Sequence, residues 1–422
     1  MRTFVYPSAV LPFKTELKFD PSLDSSKDEQ FFNAVPSRPG IFLIETRKLG
    51  DAAPSRPYLA RTADLRRAAE RLLRSPDPAS KRLNLREVAT DFRYRVTGSR
   101  FEQSLALYQH ARARFPNRYR DILRLRPPAL LKVNLRNAYP RCYVTRRIFS
   151  DGGFYLGPFA SRRIAESFAS RFLDLFKIRR CQIKIRRDPS FPGCIYSEMK
   201  MCLAPCFAGC TKDEYDTEVA RVVDTLDSQG ASLIAAIERE RESASEATDF
   251  EHAAALHKRL EKVGGVFHGL PEIVRRVDTL SAVVLQRAAR EKTVAVFTIV
   301  DGAFVEPFFL CFDELSRPQS VEEILRQHFR KLQPAERITQ PEPCDTIKAE
   351  VKTKHSVEAA ADVPQPQILD ASAQREEHLS ILARWFYSKP RAGEILFRGA
   401  DWPYRRILRS CARVLAAAHE TP

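Results

Sequence analysis

Apolar positions along the chain fall into short clusters whose spacing alternates between continuous runs and steps of three or four. Residues 36–48, PSRPGIFLIETRK, predict a turn followed by a buried strand, because Ile41, Phe42, Leu43 and Ile44 form one short apolar run. After a Gly-Asp-Ala-Ala-Pro turn, residues 56–60 predict a second strand paired with the first as a hairpin. Residues 63–75 hold Leu65, Ala68, Ala69, Leu72 and Leu73 on one side of a helix. A third strand is expected at 92–96, where large apolar residues alternate with arginine. A helix from about Ser99 to Phe115 follows, stopped by Pro116.

Residues 130–158 predict extended pieces separated by turns, with Gly152-Gly153 in one of them, and 160–177 an amphipathic helix. Helical patterns then run from about 212 to 245 and from 249 to 264, with Gly264-Gly265 as a helix stop. Residues 281–312 predict an antiparallel strand pair turning at Asp301-Gly302. Residues 334–368 have the composition of a linker. The expected fold class is multidomain α+β. Its parts are an extension over 1–33, a small mixed sheet with flanking helices over 34–125 and a cysteine-rich module over 126–211. A helical hairpin over 212–265, a small β-containing domain over 266–333, the linker and a helical tail over 369–422 follow. In that tail Trp402, Tyr404, Arg405 and Arg406 either stack on unpaired bases or pack a helix by its aromatics.

A length of 422 residues is consistent with several domains, and 44 % hydrophobic content excludes wholesale disorder. No stretch approaches the ~18 apolar residues of a membrane span, and Met1 to Lys14 lacks a signal core, so a cytoplasmic protein without a membrane partner is expected. The net charge of +16 is uneven. Residues 61–200 carry +20 and residues 201–422 carry −5. A concentrated positive field takes polyanions, and DNA is the expected partner, with Arg66, Arg67, Arg146, Arg147, Arg162 and Arg163 as candidate contacts. The plain alternative is a chain that uses arginine on every exposed helix.

Five of nine cysteines fall within residues 181–210, and the odd total argues against a disulfide framework. Cys181, Cys194, Cys202 and Cys206 follow one another as C-x12-C-x7-C-x3-C, with Cys210 four residues on. Four thiolates can hold zinc or an iron–sulfur cluster, and this spacing is not a pair of C-x2-C knuckles. Buried unligated thiols are the alternative.

Pro39-Gly40-Ile41-Phe42, Tyr58-Leu59-Ala60 and the basic helix after them resemble a GIY-YIG nuclease domain. Beyond these come Tyr155-Leu156-Gly157-Pro158-Phe159, Ile178-Arg179-Arg180-Cys181 and Met201-Cys202-Leu203-Ala204-Pro205-Cys206. Asp249-Phe250-Glu251-His252-Ala253-Ala254-Ala255-Leu256 completes the series. In this order the segments resemble the N-terminal half of the UvrC family of bacterial nucleotide excision repair, over roughly residues 36–335. The resemblance implies an iron–sulfur cluster on Cys181, Cys194, Cys202 and Cys206, with zinc as the alternative. It also implies a UVR-motif hairpin that docks a UvrB-like protein through Phe250, Ala253, Ala254, Leu256 and Leu260.

For the nuclease site the resemblance implies two tyrosines, a helix arginine and a metal-binding glutamate, with Mg or Mn. Here the first tyrosine position is Phe42 and the second is Tyr58, followed by Ala60 and Arg61. The arginine position is Ala68, with Arg67 and Arg71 nearby, and the glutamate position falls at Leu107, with Glu102 the nearest carboxylate. Removing one preorganised charge typically costs ~100–1,000-fold, so the expectation is a degenerate site. The alternatives are an endonuclease using Tyr58, Arg61, Arg71 and Glu102 in shifted roles, and an interaction protein that does not bind DNA.

Overall fold

The computed structural model describes residues 11–20, 25–47, 57–75, 81–313, 320–332 and 371–417. The expected linker at 334–368 lies outside these residues, as do the turn at 50–54 and Cys344. The first module comprises β1 (Thr15–Lys18), α1 (Ser25–Ala34), β2 (Gly40–Thr46), β3 (Tyr58–Thr62), α2 (Leu65–Leu73), β4 (Ala89–Val96), α3 (Arg100–Arg114) and α4 (Tyr119–Leu123). Its antiparallel sheet has the order β1-β4-β2-β3. The apolar run in β2 is continuous because the strand is covered on both faces. Ile41 packs toward Ala106 and Leu107 of α3, while Phe42 and Ile44 pack toward Leu65, Ala68 and Leu72 of α2. Asp64 and Ser99 cap α2 and α3, accepting from the Arg67 and Glu102 N–H at 3.0 and 3.1 Å. The expected extension over 1–33 is corrected, because β1 pairs with β4 from Thr15↔Tyr94 to Lys18↔Asp91 and Phe31 and Phe32 join the α2-side core. A four-residue edge strand is too short to show a period.

The middle region comprises β5 (Ala129–Val133), β6 (Cys142–Thr145), β7 (Phe154–Phe159), α5 (Arg162–Leu173), α6 (Ile195–Glu198), α7 (Lys212–Asp227), α8 (Ala231–Glu246), α9 (Phe250–Phe267) and β8 (Arg275–Arg276). Its sheet has the order β6-β5-β7-β8. The single helical stretch expected over 212–245 is two helices, broken where Gln229 and Gly230 take positive φ. A Cβ on Gly230 would also meet the Phe267 ring at 2.7 Å. The expected helix stop at Gly264-Gly265 is corrected too. Helix α9 runs through both glycines to Phe267, because Val263 and Val266 are buried and Phe267 packs on Phe168 and Phe172. Burial there outweighs a propensity cost of about 1 kcal/mol per glycine.

The third region comprises β9 (Ala282–Arg287), β10 (Thr293–Val300), β11 (Ala303–Phe304), β12 (Phe308–Cys311), α10 (Val321–Lys331), α11 (Ala371–Phe386), β13 (Glu394–Phe397) and α12 (Tyr404–Ala416). Asp301 and Gly302 form the turn between β10 and β11, both at positive φ. Strand β10 is buried throughout, with Val294 and Val296 facing α10 and α12 and Ala295, Phe297 and Ile299 facing the main core. The expected helical tail is corrected. Strand β13 pairs with β9, so residues 371–416 belong to this sheet and its helical layers. Trp402 is buried and stacked on Phe329 at 4.4 Å, and the Trp385 indole N–H donates to the Ala392 carbonyl at 2.9 Å. Both tryptophans are therefore spent on packing and cannot stack on bases. Among the described residues the fold is mixed α+β, with three antiparallel sheets and no helix long and apolar enough to cross a membrane.

Helix α11 inserts between the regions. Its Glu377 accepts from the Tyr108 and Tyr119 hydroxyls at 2.8 and 2.5 Å and from Arg120 Nε at 2.8 Å. His378 Nδ1 accepts the Phe304 N–H at 2.9 Å, while Nε2 has no partner among the described residues. Burial holds His378 down to about 3, and burial likewise holds His110 down to about 4. Below about pH 6.5 the unfolded chain takes up protons that these folded histidines refuse, so stability is lost as the pH falls. Urea unfolding at pH 7.5 and pH 5 should show the loss, up to roughly 1.4 kcal/mol per pH unit for each histidine; equal midpoints would contradict it.

Candidate functional site

Strand alternation decides where the expected catalytic positions point. Tyr58 and Ala60 pack on the α2 side with Phe42, whose ring lies 6.0 Å from that of Tyr58. Arg61 points to the α3 side, donating to Ser104 Oγ at 3.3 Å, and shares an open cavity of about 520 Å³ with Leu107. Ala68 is buried beneath α2, and Arg71 is exposed on the same helix. Tyr58 and Arg71 therefore sit with one layer, and Arg61 and Glu102 with the other. The structure does not bring the four together.

Glu102 is 1 % exposed, accepting from Arg95 Nη2 at 3.3 Å and from the Gly98 N–H at 2.9 Å. Burial raises its carboxyl above the usual range against the pull of both donors. Gly98 abuts the β9–β10 connection so closely that a Cβ there would lie 2.2 Å from the Ala288 carbonyl carbon. Glu102 thus fixes a turn against the third region. With Leu107 apolar and Glu102 committed, these positions do not fit a divalent cation.

The cysteine segment winds through four residues in the left-handed region, Gly193, Lys200, Ala204 and Ala208. For the three that are not glycine this costs roughly 1–2 kcal/mol each. Anchors hold the segment. Buried Arg179 donates to the Tyr139 and Ile183 carbonyls at 2.8 and 2.9 Å, and Arg187 donates to the Cys210 carbonyl at 2.9 Å. The Ala204 N–H donates to Cys202 Sγ at 3.3 Å. Burial pushes the Cys202 thiol up to about 11, and the nearby Cys181, Cys194 and Cys206 push the same way. The four thiols therefore share one neighbourhood, and the donor chemistry fits soft-metal ligation. As they stand they do not close into a ligand set, for among the described residues no three His, Cys, Asp or Glu side chains converge to hold an ion.

The expected docking stripe on α9 divides. Leu256 is 4 % exposed, and Ala253 and Leu260 pack against the main core, whereas Phe250 is 69 % exposed and Ala254 is also exposed. Among the candidate DNA contacts, Arg66 is committed to the end of α1, donating to the Val35 and Asn33 carbonyls at 2.8 and 3.2 Å. Arg162 pairs with Glu166 at 2.7 Å. Arg67, Arg146, Arg147 and Arg163 are exposed. Sequence reasoning missed Arg124, Arg126 and Arg384, which join Arg61 around the cavity. The first two lay in the basic block, but nothing in the sequence signals that Arg384 approaches them.

Fold and thiol segment together define a basic α+β protein with a cysteine-bearing middle region between the β1–β4 sheet and the α8–α9 helical hairpin. Residues 129–225, from β5 into α7 and including all five clustered cysteines, match the family model described as UvrC/Cho excinuclease, middle domain. The chain is 29 % identical over 234 residues to the UvrABC system protein C of Carboxydothermus hydrogenoformans, covering 54 % of this chain and 37 % of that protein. The same-named protein of Dehalococcoides mccartyi is 25 % identical over 276 residues, covering 64 % and 44 %. That of Oleidesulfovibrio alaskensis is 27 % identical over 275 residues, covering 64 % and 38 %. These matches support a UvrC-family protein. The chain spans about two fifths of the length of these relatives. No solved structure matches it.

The assignment of Glu102 to the fold has a direct test. Glu102→Ala leaves Arg95 buried without its carboxylate and should cost about 3–5 kcal/mol in urea unfolding. An unchanged midpoint would return Glu102 to the candidate catalytic set.

Proposed function

We propose that this chain is a DNA-binding protein of nucleotide excision repair that holds DNA without cutting it. The observation that carries the proposal is the separation of Tyr58 and Arg71 from Arg61 and Glu102, while Arg67, Arg146, Arg147 and Arg163 stay exposed within a +20 block. A phosphodiester cut needs a positioned nucleophile, a cation and an acidic ligand at one point. Holding a duplex needs only spread cations. The relatives named above support the repair context, and the exposed Phe250 at the start of α9 supports docking of a UvrB-like partner.

An iron–sulfur cluster on Cys181, Cys194, Cys202 and Cys206 belongs to the same proposal, with zinc as the alternative. When bound, the group would cross-link four chain positions, and the Ala204 N–H would stabilise the charged Cys202 sulfur.

In a salt titration of duplex binding, four phosphate contacts give a log–log slope on the order of −3 to −4, and a flat line would leave an interaction protein that does not bind DNA. With Mg or Mn, incision of a damaged duplex should be absent; robust cutting abolished by Tyr58→Phe would favour the endonuclease reading. Anaerobically purified protein should be coloured and contain iron and sulfide. Colourless protein with one zinc would replace the cluster.

A further inference from the structure

The cavity beside Arg61 lies between α3, the end of α4 and α11, and is lined by Arg61, Arg124, Arg126 and Arg384 beside Leu107 and Tyr108. The four arginines come from β3, the turn after α4, and α11. No Asp or Glu lines the cavity. Of the two carboxylates on the same helix as Arg384, Glu377 is already shared by Tyr108, Tyr119 and Arg120, and Glu376 accepts the Ile148 N–H. Like charges gathered without a counter-charge repel one another, and a fold keeps such a cluster at a cost that a bound anion removes.

Two of the guanidiniums are held in place. Arg384 donates from Nη1 to the Leu123 carbonyl at 3.3 Å and from Nη2 to the Arg124 carbonyl at 2.6 Å, and Arg61 is held by Ser104. Each guanidinium carries five donors, so both keep free N–H groups. Burial, then the neighbouring Arg61 and Arg126, depress the Arg384 pKa, as expected of a cation crowded by cations. Arginine forks match the oxygens of a phosphate group, and no carboxylate lines the cavity that would need a bridging metal to meet it.

We propose that this cavity binds a phosphate group of a nucleic-acid strand directly, without a metal ion, and that Arg384 of α11 is one of its clamps. The inference rests on the DNA-binding proposal only for the carrier of the phosphate. Arg384 also lies far outside residues 129–225, the part matched by the family model, so the site is not read from that match.

Binding of a 5′-phosphorylated single-stranded oligonucleotide, followed by fluorescence anisotropy in EDTA, tests the inference on the full chain. Arg126→Glu is the principal variant, because Arg126 makes no hydrogen bond among the described residues and the change should leave the thermal midpoint unaltered. Arg384→Gln is the second. Each should weaken binding on the order of tenfold, equally in EDTA and in Mg, and inorganic phosphate should displace the strand from the unaltered chain. Unchanged binding by Arg126→Glu, or binding that requires Mg, overturns the proposal. Arg163→Glu on α5 separates the two readings. Weakening there but not in Arg126→Glu removes the cavity and keeps DNA binding; weakening in neither removes both. If Arg126→Glu abolishes inorganic phosphate binding and leaves the strand unaffected, the nucleic-acid carrier is wrong and the proposal falls.

Discussion

The carboxylate of Glu377 is the point on which the arrangement of the molecule depends. Burying a charged group far from water is tolerated only when its lone pairs are filled, and Tyr108, Tyr119 and Arg120 fill them from the first module. That requirement fixes the rotation and depth of α11. Once it is met, neighbouring positions on the helix reach the other regions. Glu376 accepts the Ile148 N–H and His378 accepts the Phe304 N–H, and just past the helix end the Tyr387 hydroxyl donates to the Pro158 carbonyl. Phe101 of α3 completes the junction, with Phe297, Phe304 and Trp385 around it.

The same helix accounts for the character of the first module. On the α2 side the sheet is closed by aromatic packing, with Phe42 stacked on Phe92 and tilted against Tyr58. On the α3 side, α11 brings a fourth arginine to a rim that has no acid. The cavity there presents an apolar floor at Leu107 and guanidiniums around it. Glu102, the acid left nearby, has gone inward to fix a turn against the β9–β10 connection. The charged residues that stay exposed around the cavity are arginines.

Local elements were legible wherever one segment carried its own signal. The five apolar residues of α2 are the five that the structure buries, and Ser99 and Pro116 bracket α3 as their side chains dictate. The Asp301-Gly302 turn falls where its residues place it. What escaped was decided between segments. Gly264 and Gly265 stay helical because distant phenylalanines hold Phe267. Strand β13 is a strand because β9 offers it an edge, and Trp402 is buried because Phe329 lies beneath it. For the site the division is sharper. The thiol neighbourhood was visible as spacing, but the two faces of β3 and the approach of Arg384 are properties of the folded sheet.

Glu377 meets its partners across 257 to 269 residues of chain. At a synthesis rate of about 5–20 residues per second, roughly 13 to 54 seconds separate the emergence of α3 and α4 from the arrival of α11. Through that interval Tyr108, Tyr119 and Phe101 stand with part of their final covering not yet made. The first module must therefore persist incomplete on the ribosome, its junction surface open to any other apolar chain that reaches it first.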